Sequence, residues 1–243
     1  MAKTMNIDPL AKLTSGLITE ALTQIQGASR DLSSGHEQRF QTALYFLAES
    51  GEYVDGAWEM LASGKVRAAL ALSRWVLEAA LDLLWVVANR DETDQRLRDL
   101  CGQALRQDAV LAESHIKIWP DLADFLNAKA KKARRMMEDI GAEELQPLVV
   151  RMDHLEASGE ADAKLGQLGP QLYTFYRICC AAEHAGLKIW ESSDNTILTP
   201  ERACFVAAVS PFYLVLSAHV LTETGDPAEL NNWWSDKVSP LLG

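Results

Sequence analysis

The chain lacks a cysteine pair of the kind that binds zinc or carries redox chemistry. Its four cysteines are Cys101, Cys179, Cys180 and Cys204, and no two are separated by two residues. Cys179 and Cys180 are adjacent, a poor placement for a disulfide between them, so reduced thiols in a cytosol are expected. The chain also lacks His-Glu-x-x-His, the Glu-x-x-His pairs of di-iron bundles and a phosphate-binding loop. Neither a metal nor a cofactor is therefore expected, although Glu78, Glu183 and His184 are residue types that could cluster around one. Positive charge is scarce: 23 Lys and Arg against 34 Asp and Glu leave a net charge of −11. Such a chain is repelled on average by a phosphate backbone, which excludes general coating of nucleic acid and makes DNA an unexpected partner. The start, "MAKTMNIDPLAKLTSG", has no apolar core of signal-peptide length, so a cytoplasmic location is expected. Alternation with a period of two is missing, as are repeats of solenoid length, and sheet and repeat architectures go with them.

What is present is helical periodicity. Asp8-Pro9 opens a first helix whose stripe is Leu10, Leu13, Leu17, Ile18, Leu22 and Ile25. A second runs from about Glu37 to Leu61. Gly64 ends it, and a third reaches about Asn89. A fourth ends near Trp119, and Pro120 begins one that ends near Gly141. A shorter helix is expected at about 142–156, and another from Pro170 to about Trp190. Thr199-Pro200-Glu201 is a strong helix start, and Pro211 is expected to kink or interrupt that helix. A last short helix carries Trp233 and Trp234. The reading is an all-α bundle of about eight or nine helices in a single domain over 1–243. Its central four-helix part is expected at about 36–190, with the N-terminal and C-terminal helices packed on it.

The third helix contains "RWVLEAALDLLWVV", a nearly unbroken apolar run that carries Arg74, Glu78 and Asp82. A membrane span would have to bury all three at about 2.5–3.5 kcal/mol each, so no membrane is expected here. Arg67, Arg74, Glu78 and Asp82 lie at spacings of seven, four and four, which puts them on one narrow stripe. In "QLYTFYRICCAAEHAGLKIW", Tyr173, Arg177, Cys180 and His184 fall at spacings of four, three and four, with Tyr176 at the flank. Two apolar helices thus carry one polar stripe each. Burying both without partners is costly, so the stripes are expected to face each other or line one cleft. The alternative reading for Arg74 and Glu78 is an ordinary ion pair one turn apart, and for His184 a satisfied core histidine. The stretch "KAKKARR" at 129–135 is either a phosphate contact or a solvated helix end favoured by the dipole.

The same residues carry a resemblance. "LSRWVLEAALDLLWV" followed downstream by "YRICCAAEH" resembles an uncharacterised bacterial family of helical proteins with Arg-x3-Glu on one helix and Tyr-x7-His on a later one. Here those are Arg74 with Glu78 and Tyr176 with His184, within roughly residues 64–190; Cys180 stands where that family usually has serine. More broadly, Arg177 followed after six residues by His184 resembles the motif of the HEPN superfamily. That resemblance implies a dimeric, metal-independent endoribonuclease of a bacterial defence or toxin system, acting on RNA as a homodimer. Arg177 and His184 would be catalytic, and Arg74, Glu78, Tyr173, Tyr176 and Cys180 supporting or ligand-binding. The histidine would move the proton of the attacking 2′-hydroxyl, and the arginine would hold the charge growing on the phosphoryl oxygens. The other reading is a non-catalytic helical module that binds a partner protein or small ligand through the same cleft. The acidic balance favours this second reading. So does Ile178, which occupies the position after the arginine, usually polar in the active families.

Overall fold

A computed structural model describes residues 7–29, 36–158, 169–183 and 199–242, with the side chains of 156–158, 169–170 and 181–183 left out. The structure is 87% helical, and no strand occurs among the described residues. The helices are α1 (Ile7–Ala28), α2 (Glu37–Ala62), α3 (Val66–Val87), α4 (Thr93–Ile116), α5 (Ala123–Asp139), α6 (Leu148–Ser158) and α7 (Gly169–Glu183). They are followed by α8 (Pro200–Thr222), α9 (Pro227–Trp233) and α10 (Ser239–Leu242). Trp234–Val238 forms a single π turn between the last two. The all-α bundle read from the periodicity is the fold.

The centre of that bundle is α3 and α8. Helix α3 packs on α2, α4, α6, α7 and α8, and α8 also packs on α1 and α2. Of the 23 residues in α8, 17 are buried, on every side of the helix. A helix apolar all round belongs in the middle of a protein. Thr199 caps it by accepting the Arg202 N–H at 3.3 Å, and Pro200 takes the first turn, where its missing N–H costs nothing. Pro211 does not interrupt it. The ring removes one amide donor, but packing around both halves holds them in one helix, and the Ser210 hydroxyl donates to the Val206 carbonyl at 2.6 Å. Among the described residues α8 is the one helix long and apolar enough to cross a membrane, and 83% of its most apolar window is buried inside the protein. Its length and composition are those of a core helix.

Helix α1 is fixed to α2 by Trp58, whose indole N–H donates to Thr14 Oγ1 at 2.8 Å in the core. Helix α6 begins later than the sequence suggests, at Leu148 and not near 142. The physical reason is Pro147, which disfavours helical backbone at Gln146. The Pro147 carbonyl accepts the first helical bond, from Arg151 N–H at 3.1 Å.

The end of α8 is built around a histidine. His219 is buried, and its Nδ1 lies 2.9 Å from Thr224 Oγ1. Glu223 turns the chain through the left-handed region at φ 55°. Gly225 then passes directly under the imidazole: a Cβ there would come within 2.6 Å of Nδ1. Gly225→Val is therefore expected to cost about 1–3 kcal/mol, as overpacking does, measurable by urea denaturation. Burial lowers the His219 pKa from 6.5, with Glu20 of α1 acting in the opposite sense. The folded state thus prefers the neutral ring. The stability this contributes is complete above pH 6.5 and is lost as pH falls from there through the lowered folded value. His219→Gln is expected to flatten that part of the stability profile.

Helices α4 and α5 form a hairpin arm. Its base is tied to the body. Arg96 stacks 3.8 Å from the centre of the Trp85 ring, donates to the Trp85 carbonyl at 3.0 Å and pairs with Glu92 at 2.8 Å. Arg39 of α2 pairs with Asp94 at 2.6 Å. Gly102 meets Ala142 where the chain returns from α5. Beyond that base the arm has its own small core of Ala109, Ala112, Leu126, Ala130 and Ala133.

Candidate functional site

The two polar stripes meet at one point. Helices α3 and α7 pack on each other, and the Tyr176 hydroxyl donates to Glu78 Oε2 at 3.4 Å. Arg74 pairs with the same carboxylate oxygen at 3.6 Å. The Arg74 guanidinium lies between two rings, 5.5 Å from the Trp75 centroid and 5.6 Å from that of Tyr176.

The rings extend this contact in both directions. Tyr53 of α2 stacks on Trp75 with centroids 6.0 Å apart and planes at 20°. Tyr173 stacks on Tyr176 at 5.9 Å, again at 20°. Arg177 stands one turn beyond Tyr173 on α7, exposed, with its pKa raised chiefly by Tyr173. The result is a ladder that runs Tyr53, Trp75, Arg74, Tyr176, Tyr173 across three helices. Arginine over aromatic faces is favourable by about 0.5–1 kcal/mol at exposed sites and more when desolvated. Trp75 is 48% exposed, so the middle of the ladder reaches the surface.

Electrostatics follow the geometry. Burial pushes the Tyr176 phenol up to about 12; the Glu78 charge adds to this and the Arg74 hydrogen bond opposes it. Tyr176 is thus a hydrogen-bond donor at neutral pH. For Arg74, burial acts downward, but its hydrogen bond to Tyr176 and the nearby Cys180 and Glu78 outweigh it, and the pKa is raised. Cys180 is half-buried, one turn beyond Tyr176 on α7, and adds to the rise of the Tyr176 pKa. Cys179 is buried in the core, and burial followed by the neighbouring Cys180 pushes its thiol up to about 12.

The structure therefore brings together Arg74, Glu78, Tyr173, Tyr176 and Cys180. Arg177 is exposed, one turn beyond Tyr173 on α7. His184 and the Glu183 side chain lie outside the described residues. The other charges of the α3 stripe go elsewhere. Arg67 is exposed, and Asp82 turns to Arg151 of α6 at 2.7 Å. Two members of the ladder, Trp75 and Tyr53, were not anticipated. For Trp75 the signal existed: it stands three residues before Glu78 and seven before Asp82, on the polar side of α3. Tyr53 carries no comparable signal, because a tyrosine near the stripe of α2 reads as ordinary packing. Compared with protein families, with curated protein sequences and with solved structures, the chain finds no match.

Proposed function

We propose that this protein is a non-catalytic helical module that binds a partner protein through the α3–α7 face, with Trp75, Tyr173 and Arg177 as its contact residues. The observation that supports this reading is the ladder itself. Tryptophan, tyrosine and arginine are the residues that dominate binding energy at protein interfaces. Here Trp75 and Tyr173 are held by stacking on Tyr53 and Tyr176, so little of their side-chain freedom is lost on binding. Glu78 and Tyr176 serve as the frame, because their polar atoms already answer each other and Arg74. Four free thiols suit a reducing bacterial cytosol as the place of action.

One observation favours the second reading, a HEPN-like metal-independent endoribonuclease of a defence or toxin system. Arg177 is exposed, where a phosphate could meet it, and His184 follows it by seven residues in the sequence. A single experiment separates the two. Total RNA is incubated with the purified protein in EDTA, beside Arg177→Ala and His184→Ala variants. The module reading expects RNA to remain intact. Cleavage by the wild type that falls by about 10²–10⁴ in each variant would establish the enzyme. In parallel, proteins recovered from the native host with the wild type should be lost with Trp75→Ser. Recovery unaffected by Trp75→Ser and Tyr173→Ala would remove the ladder as the binding face.

A further inference from the structure

We infer that the tip of the α4–α5 arm is a peripheral docking device for an anionic lipid surface. Seven of the eleven large apolar side chains exposed among the described residues lie within 110–136, on this one hairpin. Four of them form its end. Ile118, Trp119 and Leu122 lie in the turn, 63%, 49% and 50% exposed, and Phe125 lies in the first turn of α5, 68% exposed. The end stands clear of the body, since Ile116 is 14 residues, about 21 Å, beyond the anchoring Gly102. Soluble proteins rarely leave so much apolar surface together without a partner for it.

Charge selects the partner. Residues 117–135 contain six basic and two acidic residues in a chain whose net charge is −11. Lys129, Lys131 and Lys132 are exposed, and none of them makes an ion pair among the described residues. Along α5, Lys129 stands about 6 Å back from Phe125 and Lys132 about 10.5 Å back. An apolar tip with ammonium groups at that height matches a headgroup layer over acyl chains, which amphipathic elements enter by about 5–10 Å. The two acids, Asp121 and Asp124, sit at the helix start, where the dipole favours them. Other occupants fit less well. Ile118 and Leu122 offer nothing to stacked bases. Two arms laid α5 against α5 would set the lysines of one against the lysines of the other.

The test is flotation of the full-length protein with vesicles of phosphatidylcholine alone and of equal parts phosphatidylcholine and phosphatidylglycerol. Binding is expected to the anionic vesicles and to fall as salt is raised. Lys129→Ala with Lys132→Ala should weaken it about thirtyfold, the worth of two lysines near such a surface. Trp119→Ser with Phe125→Ser should abolish it, while circular dichroism shows the helices intact. The inference is overturned if the protein floats with neither vesicle or with both equally, or if binding survives the Trp119/Phe125 variant. It is also overturned if vesicle binding is absent and those two substitutions instead dissolve a dimer in light scattering, or release a labelled single-stranded RNA. None of these outcomes depends on the α3–α7 ladder, so the two proposals stand or fall separately.

Discussion

Asp82→Ala is expected to lower stability by about 3–5 kcal/mol, measured by urea denaturation. The reason is the group it abandons. Arg151 is only 6% exposed, and its Nη2 pairs with Asp82 at 2.7 Å while its Nε donates to the Gln146 carbonyl at 3.0 Å. Its Nη1 is buried with no partner among the described residues. Removing the carboxylate leaves a guanidinium charge buried without compensation, and breaking such pairs is costly even where forming them gains little. Burial raises the Asp82 pKa above 3.8 against the attraction of Arg151. The ionised carboxylate is thus disfavoured in the fold. The stability it contributes as a neutral group is complete below pH 3.8 and is lost as pH rises through the raised folded value. Two further variants separate these effects. Asp82→Leu with Arg151→Met should recover most of the loss, since apolar replacement of a whole buried pair is commonly neutral or stabilising. Asp82→Asn keeps an acceptor for Arg151 and should fall between. A double variant as unstable as Asp82→Ala would show that the pair is not the source of the effect.

Trp58→Ala should cost a similar amount, about 3–5 kcal/mol. The indole is 3% exposed and supplies both volume and a donor to Thr14 Oγ1. Trp58→Phe tests the donor alone. Thr14 keeps its own bond to the Leu10 carbonyl at 2.9 Å, so the expected loss is smaller, about 0.5–1.5 kcal/mol. If Phe is as damaging as Ala, the hydrogen bond dominates and the cavity does not. Both variants should leave the α3–α7 ladder unchanged, because Trp58 turns from α2 to Thr14 of α1, whereas Tyr53 turns from α2 to Trp75.

Helices with a one-sided stripe were legible in the sequence. Leu10, Leu17, Ile18 and Ile25 marked α1 correctly because one face is wet and the other dry. Helix α8 has no such contrast. Its place at the centre could be read only from its all-round apolarity, and Pro211 suggested a break that packing prevents. The meeting of α3 and α7 followed from a cost argument, that two polar stripes on greasy helices need each other. Arg74 and Glu78 were expected to meet Tyr176, Arg177 or His184, and Tyr176 meets Glu78; the rotation of the stripe did not follow. Spacing groups Tyr173, Arg177 and Cys180, but Tyr176 is the side chain that reaches Glu78. A period of 3.6 residues defines a face and leaves its rotation towards a neighbour to packing. The arm tip was hidden for a related reason: Ile118, Trp119, Leu122 and Phe125 have helical spacing and look like a core stripe until no helix covers them.

The burial of α8 between α1, α2 and α3 has a consequence for the order of synthesis. The ribosome releases α1, α2 and α3 long before it makes Pro200–Thr222, yet these helices share their core with that segment. Until it emerges, the face of α3 that packs on it has no cover. The nascent chain must therefore carry an open apolar groove through most of its translation. Contacts so distant in sequence close slowly, and during that interval the groove is a natural binding place for a chaperone.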